Sequence, residues 1–332
     1  RWRQLQQSNP ALQSPYFCVE FTEAVAQARA DVEIAVIEQD GQPVAFFPFH
    51  RGPRSVAMPV GGILSDCQGF ICAPQFTCDP LEVLRACSLV AWDFDHLITS
   101  QTFFAPFHLR QDVSPILDLT DGFEAYAYRT HAARAELIKL RRLERDCGAV
   151  RFVLHSDDAA DLDRVLGWKS AQYLATGKND LFYIPWIRNL VEQVHTRRSD
   201  NFSGLLSLLY AGDQLIAGHL GMQAGAVWHY WFPAYDACYS RYSPGIILLL
   251  KMAEAATDLG VSAIDFGKGT AVYKERFKNG CVAVAEGSVI RPSLLKVGRQ
   301  INRQSRSAAR NFLLRTPWND SAGRLLGYLR RV

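Results

Sequence analysis

The part of this chain that most restricts its fold runs from Asp213 to Cys281, where two strands, a helix, a strand and a second helix follow one another through short turns. In Gln214 to Met222, Leu215, Ala217 and His219 alternate with Ile216, Gly218 and Leu220, the period of a strand with two different faces. After the turn Gln223-Ala224-Gly225, the stretch Ala226 to Ala234 sets Trp228, Tyr230 and Phe232 on one face and His229 and Trp231 on the other. Pro233 cannot donate to a ladder and is expected to end that strand. Ser243-Pro244-Gly245 reads as a helix start, with a hydroxyl at the N-cap and proline at the first helical position. The helix is expected to run to Leu259 and stop at Gly260; only Lys251, Glu254 and Asp258 form a polar stripe, so it should lie buried against a sheet. The next strand, Val261 to Phe266, carries Asp265 to its carboxyl end, and Gly267-Lys268-Gly269 turns into a helix bearing Tyr273, Lys274 and Phe277. Ligands collect at such strand ends in α/β proteins.

Upstream, the pattern is that of a mixed α/β unit. Trp2 to Ala28 has a helix start at Ser14-Pro15 and apolar anchors at Tyr16, Phe17, Val19, Phe21 and Val25. Val32 to Glu38 and Val44 to His50 form a hairpin across Gln39-Asp40-Gly41-Gln42. Met58 to Ile71 reads as a glycine-rich loop with a short strand, and its Gly-Gly pair lacks phosphate-loop spacing. Asp79-Pro80 caps a helix expected to reach about Trp92, and Asp95 to Ser100 and Ser114 to Leu119 are strands. Gly122 to Asp146 is helical, with Lys139, Arg141, Arg142 and Arg145 as either a solvated face or a clamp for ligand phosphates. A strand (Val150 to His155), two helices (Leu162 to Tyr173 and Trp186 to His195) and a hairpin from Phe202 to Tyr210 across Ala211-Gly212-Asp213-Gln214 then repeat the first half's order without residue identity. The expectation is a doubled α/β fold: a first unit over 1–121, a connecting helix over 122–146, a second unit with the active cleft over 147–290, and a basic tail over 291–332.

A chain of 332 residues that is 48% hydrophobic and 21% charged can bury a sizeable core. No apolar run approaches the ~20 residues of a membrane span. No leader pattern is present, and a chain opening at Arg1 says nothing of what precedes it. The eight cysteines match no zinc spacing and read as small buried thiols of a reducing, cytoplasmic compartment, with no metal expected. Charge is uneven: residues 291–332 hold ten Lys or Arg against Asp320, a net +9 in a chain of net +3, which leaves the first 290 residues at −6. Leu294, Leu295, Val297 and Ile301, then Phe312, Leu313, Leu314, Trp318, Leu325, Leu326 and Leu329, interleave with those arginines. The pattern suits a helix lying on an anionic inner-membrane surface, a helix covering the protein itself, or contact with RNA; the first is the expectation, and no specific nucleic-acid partner is expected.

From Asp213 to Lys274 the sequence resembles the GNAT acyltransferase superfamily, and within it the CelD-like branch associated with bacterial polysaccharide biosynthesis, similar in architecture to the Fem-type peptidoglycan aminoacyl transferases. The likeness is carried by Ala217-Gly218-His219, Tyr235-Asp236, Ser243-Pro244-Gly245, Asp265-Phe266-Gly267 with Gly269, and Tyr273-Lys274. Weaker likeness at Ser14-Pro15, Gly41 to Pro48, Ser65-Asp66 and Arg141-Arg142 extends it over about residues 1 to 290. The resemblance implies two GNAT-like units in tandem, with acetyl-CoA or another acyl-CoA held between two splayed strands of the second. Arg241, Ser243, Gly245 and Ile246 fall on the superfamily's pyrophosphate loop, commonly Gln/Arg-x-x-Gly-x-Gly/Ala. Pro244 and Ile246 stand at its small positions, and Pro244 removes one amide, although the helix start still presents a positive dipole end to an anion.

Transfer from a thioester needs a deprotonated nucleophile, a polarised carbonyl and a protonated leaving thiolate. His219 is the expected general base, with a satisfied core histidine as the other reading. Asp236 orients the acceptor or forms a turn, and Asp265 sits where ligands meet strand ends. Tyr273 donates a proton to the departing thiolate or packs against Phe277. Tyr235, Trp231, Arg142 and Lys274 are the expected substrate contacts, Lys274 being otherwise a surface lysine. The expected reaction is acyl transfer to an amine or hydroxyl of a sugar or glycan precursor. The alternatives are a tRNA-fed aminoacyl transfer and a non-catalytic component of a polysaccharide-assembly complex.

Overall fold

The computed structural model describes residues 1–269 and 271–292. The expected membrane-surface helices of the basic tail lie outside the described residues.

Helices α1 (Trp2–Gln7) and α2 (Val19–Ala28) precede the hairpin β1 (Val32–Gln39) and β2 (Gln42–Arg51). Asp40 and Gly41 take φ of 52° and 73°, the left-handed pair that matches a two-residue turn to strand twist. Strands β3 (Val56–Pro59) and β4 (Ile71–Cys72), helix α3 (Pro80–Ala86) and strands β5 (Ala91–Ile98) and β6 (His108–Asp118) complete the first half. Helices α4 (Phe123–Arg129) and α5 (His131–Cys147) lead to β7 (Val150–Val153), α6 (Ala159–Ala175), α7 (Pro185–Thr196), β8 (Arg198–Ser199), β9 (Phe202–Ala211), β10 (Gln214–Ala224) and β11 (Val227–Tyr235). Helix α8 (Pro244–Ala256), strand β12 (Ala263–Asp265), helix α9 (Val272–Phe277) and strand β13 (Gly280–Ile290) follow.

The strands form one sheet in the order β1-β2-β3-β5-β13-β6-β12-β11-β10-β9-β7, with β4 beside β2 and β8 beside β9. Each half contributes an antiparallel run that ends in a parallel pair spanned by a helix: β3 with β5 across α3, and β11 with β12 across α8. The halves then exchange their last strands. β6 pairs with β12 of the second half, and β13 inserts between β5 and β6 of the first. The architecture is therefore a doubled α/β fold whose two units interlock at the sheet centre. One apolar layer lies under α2, α6 and α7, and another under α4, α5 and α8.

Several local expectations are corrected. The helix after Asp79 stops at Ala86, because Ser88 turns left-handed at φ 53° and frees Ala91 to Phe94 to begin β5. The helical stretch after Gly122 breaks at Thr130, which is extended. β13 carries no hydrophobic alternation strong enough to announce it: Cys281, Val282 and Ala283 are exposed, and the strand is fixed by its two neighbours. β11 passes through Pro233 to Tyr235, since β12 pairs only with Val227 to His229 and a missing N–H further along breaks no ladder. β11 also bulges: Leu220 faces Phe232 whereas Met222 faces His229, so β11 has one residue more than β10 between those pairs. The bulge reverses the alternation. Trp228 and Tyr230 enter the layer under α8, but Phe232 joins the layer under α6.

Candidate active site

The last rung of the parallel pair β11–β12 is His229 opposite Asp265. Beyond it the strands part. Asp265 Oδ1 accepts from Ser114 Oγ at 2.9 Å and from the Gly267 amide at 2.9 Å. Its Oδ2 lies 3.8 Å from His229 Nδ1, an ionic contact longer than a hydrogen bond. The other ring nitrogen of His229 lies 3.0 Å from Tyr16 Oη and 3.4 Å from Asp66 Oδ2. Asp66 Oδ1 is 3.6 Å from His96 Nε2, and His96 Nδ1 is 2.8 Å from Asp95 Oδ1. Both halves thus supply one connected cluster, with β11, β12 and the turn after it on one side and β5 and the loop between β3 and β4 on the other.

Backbone geometry makes this approach possible. Gly267 has φ 68°, and a Cβ there would fall 2.4 Å from Asp66 Oδ2. Gln68 holds the loop: its Oε1 accepts from the amides of Asp95 and His96 at 2.9 and 3.1 Å, and its Nε2 donates to Asp95 Oδ1 at 2.8 Å. Lys274 Nζ donates to the carbonyls of Gly267 and Lys268 at 2.9 and 3.3 Å, pinning the glycine turn. Lys268 Nζ donates to Asp95 O at 2.7 Å.

His229 is fully buried, yet its pKa is raised to about 9, because Asp265 and Asp66 together outweigh the burial that would lower it. Burial alone would raise both carboxyls, but the nearby charge of His229 holds them below the usual carboxylate range. The three groups are an Asp⁻–HisH⁺–Asp⁻ array. His96 sits at about 4, lowered by burial against the pull of Asp66, so it is neutral. Of the array, Asp66 is the member that reaches water, with 28% of its side chain exposed against 9% for Asp265 and none for His229. The charge of Asp66 also acts on Tyr173 from α6 and on Tyr273 and Lys274 from α9.

The expected general base lies elsewhere. His219 is fully buried in the sheet, stacked on Tyr230 with ring centroids 4.5 Å apart. Its Nε2 accepts the Trp231 amide at 3.1 Å, one of the amides that the bulge takes out of the ladder. Burial first, then the charges of His229 and Lys169, hold its pKa well below the ordinary value. A Cβ at Gly221 would come within 2.3 Å of His219 Cε1, so that glycine makes room for the ring. His219 is a neutral brace for the bulge, sealed from the cleft. Trp231 is largely buried, against Phe232.

Asp236 caps a short helical turn, accepting from the Cys238 amide at 2.9 Å, the turn-forming alternative. Tyr273 lies across Tyr230 and Phe266 at centroid distances of 6.1 and 5.9 Å, and burial raises its pKa, keeping the phenol protonated. Arg142 is largely exposed and pairs with Asp146 at 3.6 Å.

The donor loop is altered as its sequence implies. Ser243 is left-handed, at φ 56°, and its side chain makes no cap hydrogen bond; Lys139 Nζ meets its hydroxyl at 2.9 Å instead. The amides of Ile246 and Ile247 both bond Ser243 O, at 2.9 and 3.1 Å. Pro244 has no N–H, so Gly245 supplies the first-turn amide left without a backbone partner among the described residues. Gly245 packs under Tyr235, where an added Cβ would lie 3.3 Å from Tyr235 Cδ1. Arg241 stacks on Tyr242 at 4.6 Å, and its guanidinium donates to that hydroxyl at 2.5 Å.

Sequence reasoning missed His229, Asp66, His96 and Tyr16 as one site. His229 stands on a strand recognised as such, and Asp66 belongs to a weaker part of the resemblance. Nothing local shows that Asp66 and His229, 163 positions apart in the chain, meet in one array. Among the described residues, no group of three or more His, Cys, Asp or Glu is arranged to hold a metal ion. None of their helices is long and apolar enough to cross a membrane.

Residues 132–275 match the family model described as Acetyltransferase (GNAT) domain. Among solved structures, one described as FemX superposes with a TM-score of 0.61 at 11% identity, over 90% of this chain and 97% of that one. The C-terminal domain of a putative lysylphosphatidylglycerol synthetase from Agrobacterium fabrum gives 0.56 at 12%, over 91% and 95%. L-PGS from Bacillus licheniformis gives 0.50 at 14%, over 86% and 96%. At such identity these likenesses show a shared fold. No curated protein sequence matches the chain. With a GNAT acetyltransferase domain in this fold, the chain is an enzyme of the acyltransferase class.

Proposed function

Starting from the GNAT acetyltransferase domain at residues 132–275, we propose that this protein moves an acyl group from an acyl-CoA-type thioester to an amine or hydroxyl of a sugar or glycan precursor. The observation that carries the reading is the Asp66–His229–Asp265 array at the point where β11 and β12 part. The open edge of β11 past that rung is suited to an extended donor, and α8 begins beside Tyr235 with a free Gly245 amide for an anionic group. Asp66, ionised and reached by water, holds the attacking group and accepts its proton as the C–N or C–O bond forms. Protonated His229, gripped by Asp265 and Tyr16, fixes Asp66. Tyr273, kept protonated, returns a proton to the departing thiolate as the C–S bond breaks. The ordered residue set shared with the CelD-like branch, rather than any feature of the cleft, supports the polysaccharide assignment.

The test is release of free thiol from acetyl-CoA and longer acyl-CoAs in the presence of amino sugars, nucleotide sugars and lipid-linked glycan precursors. Acceptor-dependent release, lost in Asp66→Asn, supports the reading. Absence of release with every donor and acceptor would sink it. A tRNA-fed aminoacyl transfer is favoured by one observation, the donor loop with a single free first-turn amide. Activity that depends on charged tRNA and disappears on ribonuclease treatment would select it.

A further inference from the structure

One pair of atoms in the cluster at the strand fork does not satisfy itself. His96, on β5, has a side chain only 4% exposed, and its Nδ1 lies 2.8 Å from Asp95 Oδ1. That oxygen also accepts from Gln68 Nε2 at 2.8 Å, and the amides of Asp95 and His96 are both held by Gln68 Oε1. A ring nitrogen this close to a carboxylate oxygen needs a proton between them, so Nδ1 carries the hydrogen. Burial keeps the ring neutral, which leaves Nε2 as a bare lone pair. Facing it at 3.6 Å is Asp66 Oδ1, a second acceptor. Among the described residues neither atom receives a hydrogen bond, while the other oxygen of Asp66 lies 3.4 Å from His229 Nε2. Two buried or half-buried acceptors turned toward each other call for a donor between them. Acceptors 3.6 Å apart can both stand about 2.9 Å from one donor atom, provided that atom carries two hydrogens. A primary amine carries two; a hydroxyl carries one.

We propose that Asp66 Oδ1 and His96 Nε2 together form the subsite for the attacking group, and that His96 makes it select a primary amine over a hydroxyl. The proposal rests on the acyl-transfer reading for the reaction, but not for the tautomer of His96 or for the amine contact. One N–H of the bound amine donates to Asp66 Oδ1 and the other to His96 Nε2, which leaves the nitrogen lone pair free to attack the thioester carbonyl. As the C–N bond forms, the nitrogen gives one proton to Asp66 and keeps the other on His96. The C–S bond then breaks and the thiolate takes the proton of Tyr273, which the proton released by Asp66 restores through water. A hydroxyl bound to Asp66 would leave the lone pair of His96 unfilled, and a site with a buried unpaired acceptor discriminates against such a substrate. Asp95 and Gln68 act through His96: they fix its tautomer and its place.

The first test needs no turnover. Nitrogen NMR of the full chain with ¹⁵N-labelled histidine, the His96 signals identified by their loss in His96→Gln, should show a protonated Nδ1 and an unprotonated Nε2. Glucosamine should move the Nε2 signal and glucose should not. A protonated Nε2 overturns the proposal, and so does an Nε2 signal that glucosamine leaves in place. The second test is product analysis by mass spectrometry, with acetyl-CoA and an equal mixture of amine and hydroxyl acceptors. Amide should predominate over ester, and the amide-to-ester ratio should fall by roughly 10- to 100-fold in His96→Leu, as expected for one hydrogen bond to the reacting group. His96→Gln, which keeps an acceptor on the side chain, should recover part of the ratio and so separates loss of the contact from loss of fold. Predominant ester in the unaltered protein, or an unchanged ratio in His96→Leu, overturns the proposal. The expected NMR result without thiol release from any donor leaves the amine subsite standing while the acyl-transfer reading falls; acyl transfer with a protonated His96 Nε2 has the opposite meaning.

Discussion

The two halves of the sheet end in the same device and use it differently. In the first half, β3 pairs with β5 only at Val56–Ala91 and Ala57–Trp92, and the gap beyond is filled by the chain itself. Gln68 donates its amide to His96 O at 3.0 Å, accepts from the Ile98 amide at 3.0 Å, and bridges Leu97 in the manner of a strand. The space left, lined by Tyr16, Val60, Gln68 and Trp92 among others, is about 20 Å³, room for one water molecule. In the second half, the edge of β11 past His229 is met by a lysine side chain at Pro233 rather than by a strand. A side chain can leave; a hydrogen-bonded loop cannot without local unfolding. The plugged fork therefore serves as a wall that carries Asp66 and His96 to the open one.

The largest expected effect tests whether that wall is chemical or only structural. Asp66→Asn and His229→Gln should each lower kcat/KM by roughly 10²- to 10⁴-fold, as loss of a positioned acid or base does, in thiol-release assays on protein with native circular dichroism. Full turnover in Asp66→Asn would reduce the first half to a scaffold.

Next come two buried braces, one in each half. Gln68→Ala removes four partners of a buried side chain, and His219→Ala leaves the Trp231 amide without its acceptor; each should cost about 1–3 kcal/mol in denaturant unfolding. His219→Ala should leave kcat/KM of the folded protein within a few-fold. If it abolishes turnover instead, the base belongs to His219 and the sealed geometry is not the working one.

The pH dependence of stability separates the forks further. His229, raised to about 9, favours the fold fully below its unfolded value near 6.5, and that contribution is lost as pH rises through 9. His50 and His96 in the first half, both lowered to about 4 with burial as the leading cause, act in the other direction: their contribution is present above about 6.5 and lost as pH falls through 4. Thermal unfolding across pH should peak between these limbs, and His229→Gln should flatten the alkaline limb alone. An unaltered alkaline limb in that variant would show that the carboxylates do not clamp the ring. Smallest of all, Asp236→Ala should cost about 1 kcal/mol as a lost cap, and Arg142→Ala less than about 0.5 kcal/mol, with turnover unchanged in the latter.

Much of the fold was legible because it is local. Alternation in Gln214 to Met222, the Asp40-Gly41 turn and the stop of the second-half helix at Gly260, with φ 66°, are set by side chains within a few positions. The repeated order of elements announced the doubling. The bulge in β11 was not legible, since it depends on a register with β10 that no residue of β11 encodes alone. Placing Phe232 with Tyr230 and Trp228 followed from unbroken alternation, and one extra residue overturned it. His219 misled for the same reason: a histidine on a strand beside glycines has room for a ligand, and the room is taken by its own stacking and by the bulge amide.

By itself the sequence determined the elements, their doubled order, Asp265 at a strand end and the weakened donor loop, all matters of spacing and residue type. Tertiary structure alone decided which imidazole meets which carboxylate. Asp66, His229 and Asp265 lie far apart along the chain, and their array exists because two halves of one sheet interlock and one plugged fork presents its loop to the other. Charge couples through space over a few ångströms, whereas a sequence records only neighbours along the backbone.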